Sequence, residues 1–102
     1  MYRASDRVDN ATWIERIEVA CESLGLDDEA CATAIDLFLS EAPEVERSKP
    51  ATAAASLYAA ALIRGQERSQ AAVAEAMDVS RLSVQSGWKP ILESAGFSPP
   101  TW

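Results

Sequence analysis

At 102 residues the chain makes one domain, long enough to bury a single core and too short for two. Hydrophobic residues make up 48% of it and aromatics only 7%, and nineteen alanines favour closely packed helices. A net charge of −7 argues against a nucleic-acid ligand for the chain taken whole, and the absence of histidine removes the commonest general base.

The charge is unevenly placed. Residues 1–48 hold 4 basic and 12 acidic side chains, whereas residues 49–102 hold 5 basic and 4 acidic ones, so the acidity is confined to the first half. Only two of the nine cations are Lys. An acidic, Lys-poor surface suits a halophilic, very salty cytoplasm, and an ordinary acidic surface reads the same way. Met1 to Ala11 is polar and has no apolar signal-peptide core. The longest apolar stretch, Ala51 to Ile63, is interrupted by Thr52, Ser56 and Tyr58 and falls short of the roughly 18 residues of a membrane span. A soluble cytoplasmic protein is expected. In such a setting Cys21 and Cys31 stay reduced and read as small core residues. With no Gly-rich phosphate loop and no carboxylate pair in a plausible cleft, neither an enzyme nor a cofactor, metal or small-molecule substrate is expected.

The apolar pattern is helical throughout, and an all-α fold of five helices is expected. Trp13, Ile14, Ile17, Cys21 and Leu24 define the first helix, with Asn10 or Thr12 as its cap and Gly25 as its stop. Asp27 caps a second, striped by Cys31, Ile35, Phe38 and Ala42 and ending near Pro43. A polar turn from Glu44 to Ser48 leads to the third, entered at Pro50 and closed by Gly65. Small and apolar residues lie on nearly every face of this helix, which places it at the centre of the bundle. Ser69 opens a short fourth helix by capping Ala71 or Ala72, with Val73, Ala74 and Met77 facing inward. Asp78-Val79 forms a tight turn. Ser80 caps the fifth helix, where Val84, Trp88, Ile91, Leu92 and Ala95 form the buried stripe. Residues 1–9 read as an extension, 10–96 as the domain, and 97–102 as a tail laid back through Phe97 or Trp102.

Opposite that stripe stand Leu82, Ser86, Lys89 and Glu93, with Ser83 and Pro90 beside them and Gln85 at the margin. Such a face suits a DNA major groove: Leu meets thymine methyls, Gln pairs with adenine and Lys neutralises phosphate. A solvated polar face has the same pattern.

The residues that carry a family likeness are the Pro50 entry, AAASLYAAAL at Ala53 to Leu62, Ser69-Gln70, VAEAMDVS at Val73 to Ser80, and Ser83-Val84 ahead of Trp88. LGLDDEA at Leu24 to Ala30 fits the opening half. Over roughly residues 10–95 the chain resembles the cyclin-like core repeat of archaeal transcription factor B and eukaryotic transcription factor IIB, the second repeat more than the first. The resemblance implies a five-helix cyclin-like domain with a helix-turn-helix at 69–95. It also implies promoter DNA beside a TATA element as ligand, in a complex with TATA-binding protein and RNA polymerase. On this reading Arg68, Arg81 and Lys89 hold phosphates, while Gln70, Leu82, Ser83, Gln85 and Ser86 face bases or position the short helix.

The departures are specific. The family usually has Arg at the place of Gln85, often a second Arg at Gly87, and a helix-compatible residue at Pro90. Replacing Arg by Gln removes a guanine reader and shifts preference toward adenine. Pro90 collides with the Ser86 carbonyl, so a kink over Ser86 to Lys89, absorbed at Gly87, is expected. The paired CxxC of a zinc ribbon is missing, and one repeat stands where the family uses two, so a complete general initiation factor is not expected. Two readings follow. One is a single-repeat regulator of transcription initiation that binds promoter DNA. The other is a cyclin-like interaction module without DNA, an adaptor or competitor for TATA-binding protein or another transcription-complex protein.

Overall fold

The computed structural model describes residues 10–41 and 48–98. The described residues form five helices: α1 (Ala11–Leu24), α2 (Asp28–Glu41), α3 (Lys49–Ile63), α4 (Gln70–Met77) and α5 (Arg81–Ser94). None of them is long and apolar enough to cross a membrane. The extension 1–9, the connection 42–47 and Trp102 lie outside the described residues.

Local chemistry sets the boundaries. Asp27 Oδ1 accepts from the Ala30 amide at 2.9 Å to start α2, Ser69 Oγ from Ala72 at 3.0 Å to start α4, and Ser80 Oγ from Ser83 at 3.2 Å to start α5. Each satisfies an amide that the helix cannot pair internally. α1, α3, α4 and α5 end alike, on an amide that reaches back five residues: Leu26 to Cys21, Gln66 to Ala61, Val79 to Ala74 and Phe97 to Leu92. At the end of α4 the left-handed residue that this turn requires is Asp78, with φ 57°. Asp is among the few non-glycine residues that tolerate that region. The helix ends use little charge: only α2 has acidic residues in its first turn, and no helix has a basic residue in its last.

α3 is the axle, in contact with all four other helices and most extensively with α2 and α5. Every residue from Ala53 to Ala61 is buried, including Ser56 and Tyr58. Ser56 Oγ is enclosed there and has no hydrogen-bond partner. Around this axle pack Ile17 of α1, Phe38 of α2, Val73 of α4, and Val84 and Trp88 of α5, all fully buried. Each contributes roughly 1.5–3 kcal/mol by leaving water. The Trp88 ring meets Tyr58 edge-on, with centroids 5.3 Å apart. Small residues bring the backbones together: a Cβ added to Gly87 would lie 2.9 Å from the Ala55 Cβ.

Three expectations need correction. α2 buries Ala30, Ala34, Leu37 and Leu39 as well as Ile35 and Phe38, because it packs against both α1 and the broad face of α3. Cys31 is only half-buried, so it is not a core residue in the sense that Cys21 is. Ala95 is exposed, since α5 ends at Ser94. α5 is assigned as one helix through Pro90, and Gly87 is its point of close contact with α3.

Candidate functional site

Two polar constructions stand out. The first joins the α1–α2 turn to the α3–α4 turn. Arg68 Nε donates to the Leu24 carbonyl at 2.8 Å and Nη2 to the Gly25 carbonyl at 3.3 Å, while Nη1 donates to the carbonyls of Gln66 and Glu67 at 2.9 and 3.2 Å. One guanidinium thus satisfies carbonyls left open where α1 stops. Gly25 adopts φ 69°, a left-handed turn that presents its carbonyl to Arg68. Two residues away, Gln66 Nε2 donates to Asp27 Oδ2 at 2.7 Å and Gln66 Oε1 accepts from the Asp27 amide at 3.1 Å. The Ala30 amide and the Gln66 side chain stabilise the Asp27 carboxylate and hold it below its ordinary value. Arg64 Nε donates to Thr33 Oγ1 at 2.9 Å, and its Nη1 lies 3.8 Å from Glu29 Oε2, an exposed pair.

The second construction is α4, its turn and α5. Val73, Ala74 and Met77 of α4 and Val84, Trp88, Ile91 and Leu92 of α5 face the core. The outer side carries what remains. Arg81, Leu82 and Gln85 are exposed, Leu82 to 72%, and lie in the first turns of α5. Lys89 Nζ sits 5.5 Å from the centroid of the Trp88 ring, a cation–π contact that steers the ammonium along the helix surface.

The eight residues expected to meet DNA therefore divide. The exposed Arg81, Leu82 and Gln85 and the half-buried Lys89 share one side of α5. Arg68 stands apart, committed to backbone carbonyls of two turns. Gln70 hydrogen-bonds Tyr58, whose hydroxyl is pushed up by burial and pulled partly back by that bond. Ser83 Oγ lies 3.0 Å from Ser80 Oγ at the helix cap, and Ser86 Oγ donates to the Leu82 carbonyl at 2.8 Å. Ser83, Ser86, Gly87 and Pro90 line a cleft of about 380 Å³ against Ala51, Thr52 and Ala55 of α3 and Glu41 of α2. Periodicity alone puts Ser86 and Pro90 on the outer face, and α3 turns that flank into a cleft wall.

The electrostatics of the second construction are close to balanced. From residue 70 to 94 the cations are Arg81 and Lys89, and the carboxylates are Glu75, Asp78 and Glu93, all three exposed. No continuous positive strip runs along α4 and α5.

No protein-family model matches the chain. It is 34% identical over 80 residues to a transcription initiation factor IIB of the archaeon Archaeoglobus fulgidus, an alignment that takes in 74% of this chain. The chain spans about a quarter of that relative's length, the aligned part being 24% of it. The described residues thus form an all-α fold of five helices, and the chain has a partial likeness to a transcription initiation factor.

Proposed function

We propose that the chain acts in transcription initiation as a single cyclin-type repeat spanning residues 10–96, presenting the helix-turn-helix at 69–95 to promoter DNA. The observation that carries this reading is the strip of Arg81, Leu82, Gln85 and Lys89 on α5, projected from a Ser80-capped start with its far face anchored by Trp88. A recognition helix meets base edges with its N-terminal residues, where Leu82 and Gln85 stand. Gln85 suits adenine, Leu82 suits a thymine methyl, and Arg81 and Lys89 suit phosphates.

The two cations of α5, Arg81 and Lys89, set the scale. Each phosphate neutralised contributes about −0.9 to the slope of log affinity against log salt, so the wild type has a slope of roughly −2. Anisotropy titrations on a duplex library between low and moderate salt measure it. Arg81→Ala and Lys89→Ala each bring the slope about one unit closer to zero, and Gln85→Ala removes a preference for adenine worth roughly 1–3 kcal/mol. Background binding at low salt, unchanged by all three variants, ends this reading.

The charge balance of residues 70–94 favours a second reading, a cyclin-like interaction module that recognises a transcription-complex protein without touching DNA. Three carboxylates around the strip repel a phosphate backbone and suit a basic protein surface. Titration with TATA-binding protein tests it. Binding that survives Arg81→Ala and Lys89→Ala supports the module, and absence of binding to any initiation component removes it.

A further inference from the structure

Cys21 lies in the last turn of α1 and Cys31 in the first turn of α2, joined by a turn that Arg68 and Gln66 hold from outside. The two thiols face each other across this turn and open onto one cleft of about 340 Å³ between the helices. Cys21 is buried and Cys31 only half-buried, and both are free. Glu18, Glu22 and Asp28 line the same cleft. We propose that Cys21 and Cys31 form a peroxide-responsive dithiol, in which Cys31 reacts first and Cys21 closes the disulfide.

The order follows from access. A peroxide reaches the half-buried sulfur from the cleft, whereas the Cys21 sulfur is buried, and burial, the Cys31 thiol and Glu18 push its thiol above the ordinary value, which makes it the poorer first nucleophile. Cys31 attacks hydrogen peroxide, one O–O bond breaks, and sulfenic acid and water form. The Cys21 sulfur then displaces that hydroxyl as a second water, so two thiols are oxidised and one peroxide is reduced. The three carboxylates select the oxidant, because neutral peroxide enters such a cleft while anionic glutathione disulfide is repelled.

The test exposes the folded protein to hydrogen peroxide, quenches it, alkylates in denaturant and identifies the products by mass spectrometry. The expected result is loss of both reactive thiols, one intramolecular Cys21–Cys31 link and full recovery with dithiothreitol. Cys21→Ser leaves a Cys31 sulfenic acid that dimedone traps, and Cys31→Ser slows consumption of the remaining thiol by roughly tenfold or more. Two free thiols after exposure, a link between molecules, or sulfinic acid on Cys31 with Cys21 still free overturns the dithiol. Equal rates for Cys21 in wild type and Cys31→Ser overturn the order, and equal rates with glutathione disulfide overturn the selection.

Discussion

The α1–α2 and α4–α5 turns of this molecule are built on opposite plans. The α1–α2 turn is fastened from a distance, by Arg68 and Gln66 reaching back some forty residues to Leu24, Gly25 and Asp27. The α4–α5 turn is fastened locally, by the left-handed Asp78 and the hydroxyl of Ser80. Side chains spent on the first turn have their donors committed to it, as Arg68 has. The second turn asks nothing of Arg81, Leu82 or Gln85, which leaves them outside. A surface that is to meet a partner is thus held by its buried underside and its caps, and its outer groups carry no structural duty.

Substitutions can break that contrast. The largest effect is expected at the contact that seats α5. Gly87→Leu puts a side chain where even a Cβ lies 2.9 Å from Ala55, and loses about 3 kcal/mol in denaturant unfolding. Ala55→Gly in the same chain recovers part of the loss, because the two sites share one space. Next is Arg68→Ala, which strands carbonyls in both turns and lowers stability by about 2 kcal/mol. Arg68→Lys does not restore it, since a single ammonium cannot span them. If Arg68→Ala instead weakens DNA binding at unchanged melting temperature, the division between a fastened turn and a free one is wrong.

Smaller effects sharpen the picture. Ser56→Ala raises stability by roughly 1 kcal/mol, because it removes a buried hydroxyl with no partner and adds helix propensity at the centre of α3. Asp27 makes the first turn sensitive to acid. Its folded carboxyl is depressed below 3.8, so its contribution is complete above that value and is lost as the pH falls through the lower folded value. Asp27→Asn keeps a capping oxygen and flattens stability against pH in that acid window, which thermal unfolding from pH 5 down to pH 2 resolves.

Helix identity and order were legible because capping residues and apolar periodicity agree. Asp27, Ser69 and Ser80 sit at the starts, Gly25 and Gly65 just past the ends, and the saturated helix lies at the centre. What was not legible depended on distance. Nothing near Arg68 announces that its acceptors lie at the end of α1, although an LGLD turn with open carbonyls implies some distant donor. Gly87 read as a weak point because a lone helix gives no reason for it. Its partner is an alanine thirty-two positions earlier, and an isolated glycine opposite an alanine-rich helix is the sign of a close crossing. Ser83 and Ser86 were placed correctly on the helix wheel, but their hydroxyls are occupied within their own helix.

The uncharged helix ends carry one more consequence. α1, α3, α4 and α5 have no acidic residue in the first turn and no basic one in the last; α4 and α5 start on serine hydroxyls, and all four end on backbone amides. Dissolved ions weaken attractions between exposed charges but leave short local hydrogen bonds largely alone. The hydroxyl caps of α4 and α5 are therefore little affected by ionic strength, whereas an association through Arg81 and Lys89, on the reading proposed above, weakens as salt rises.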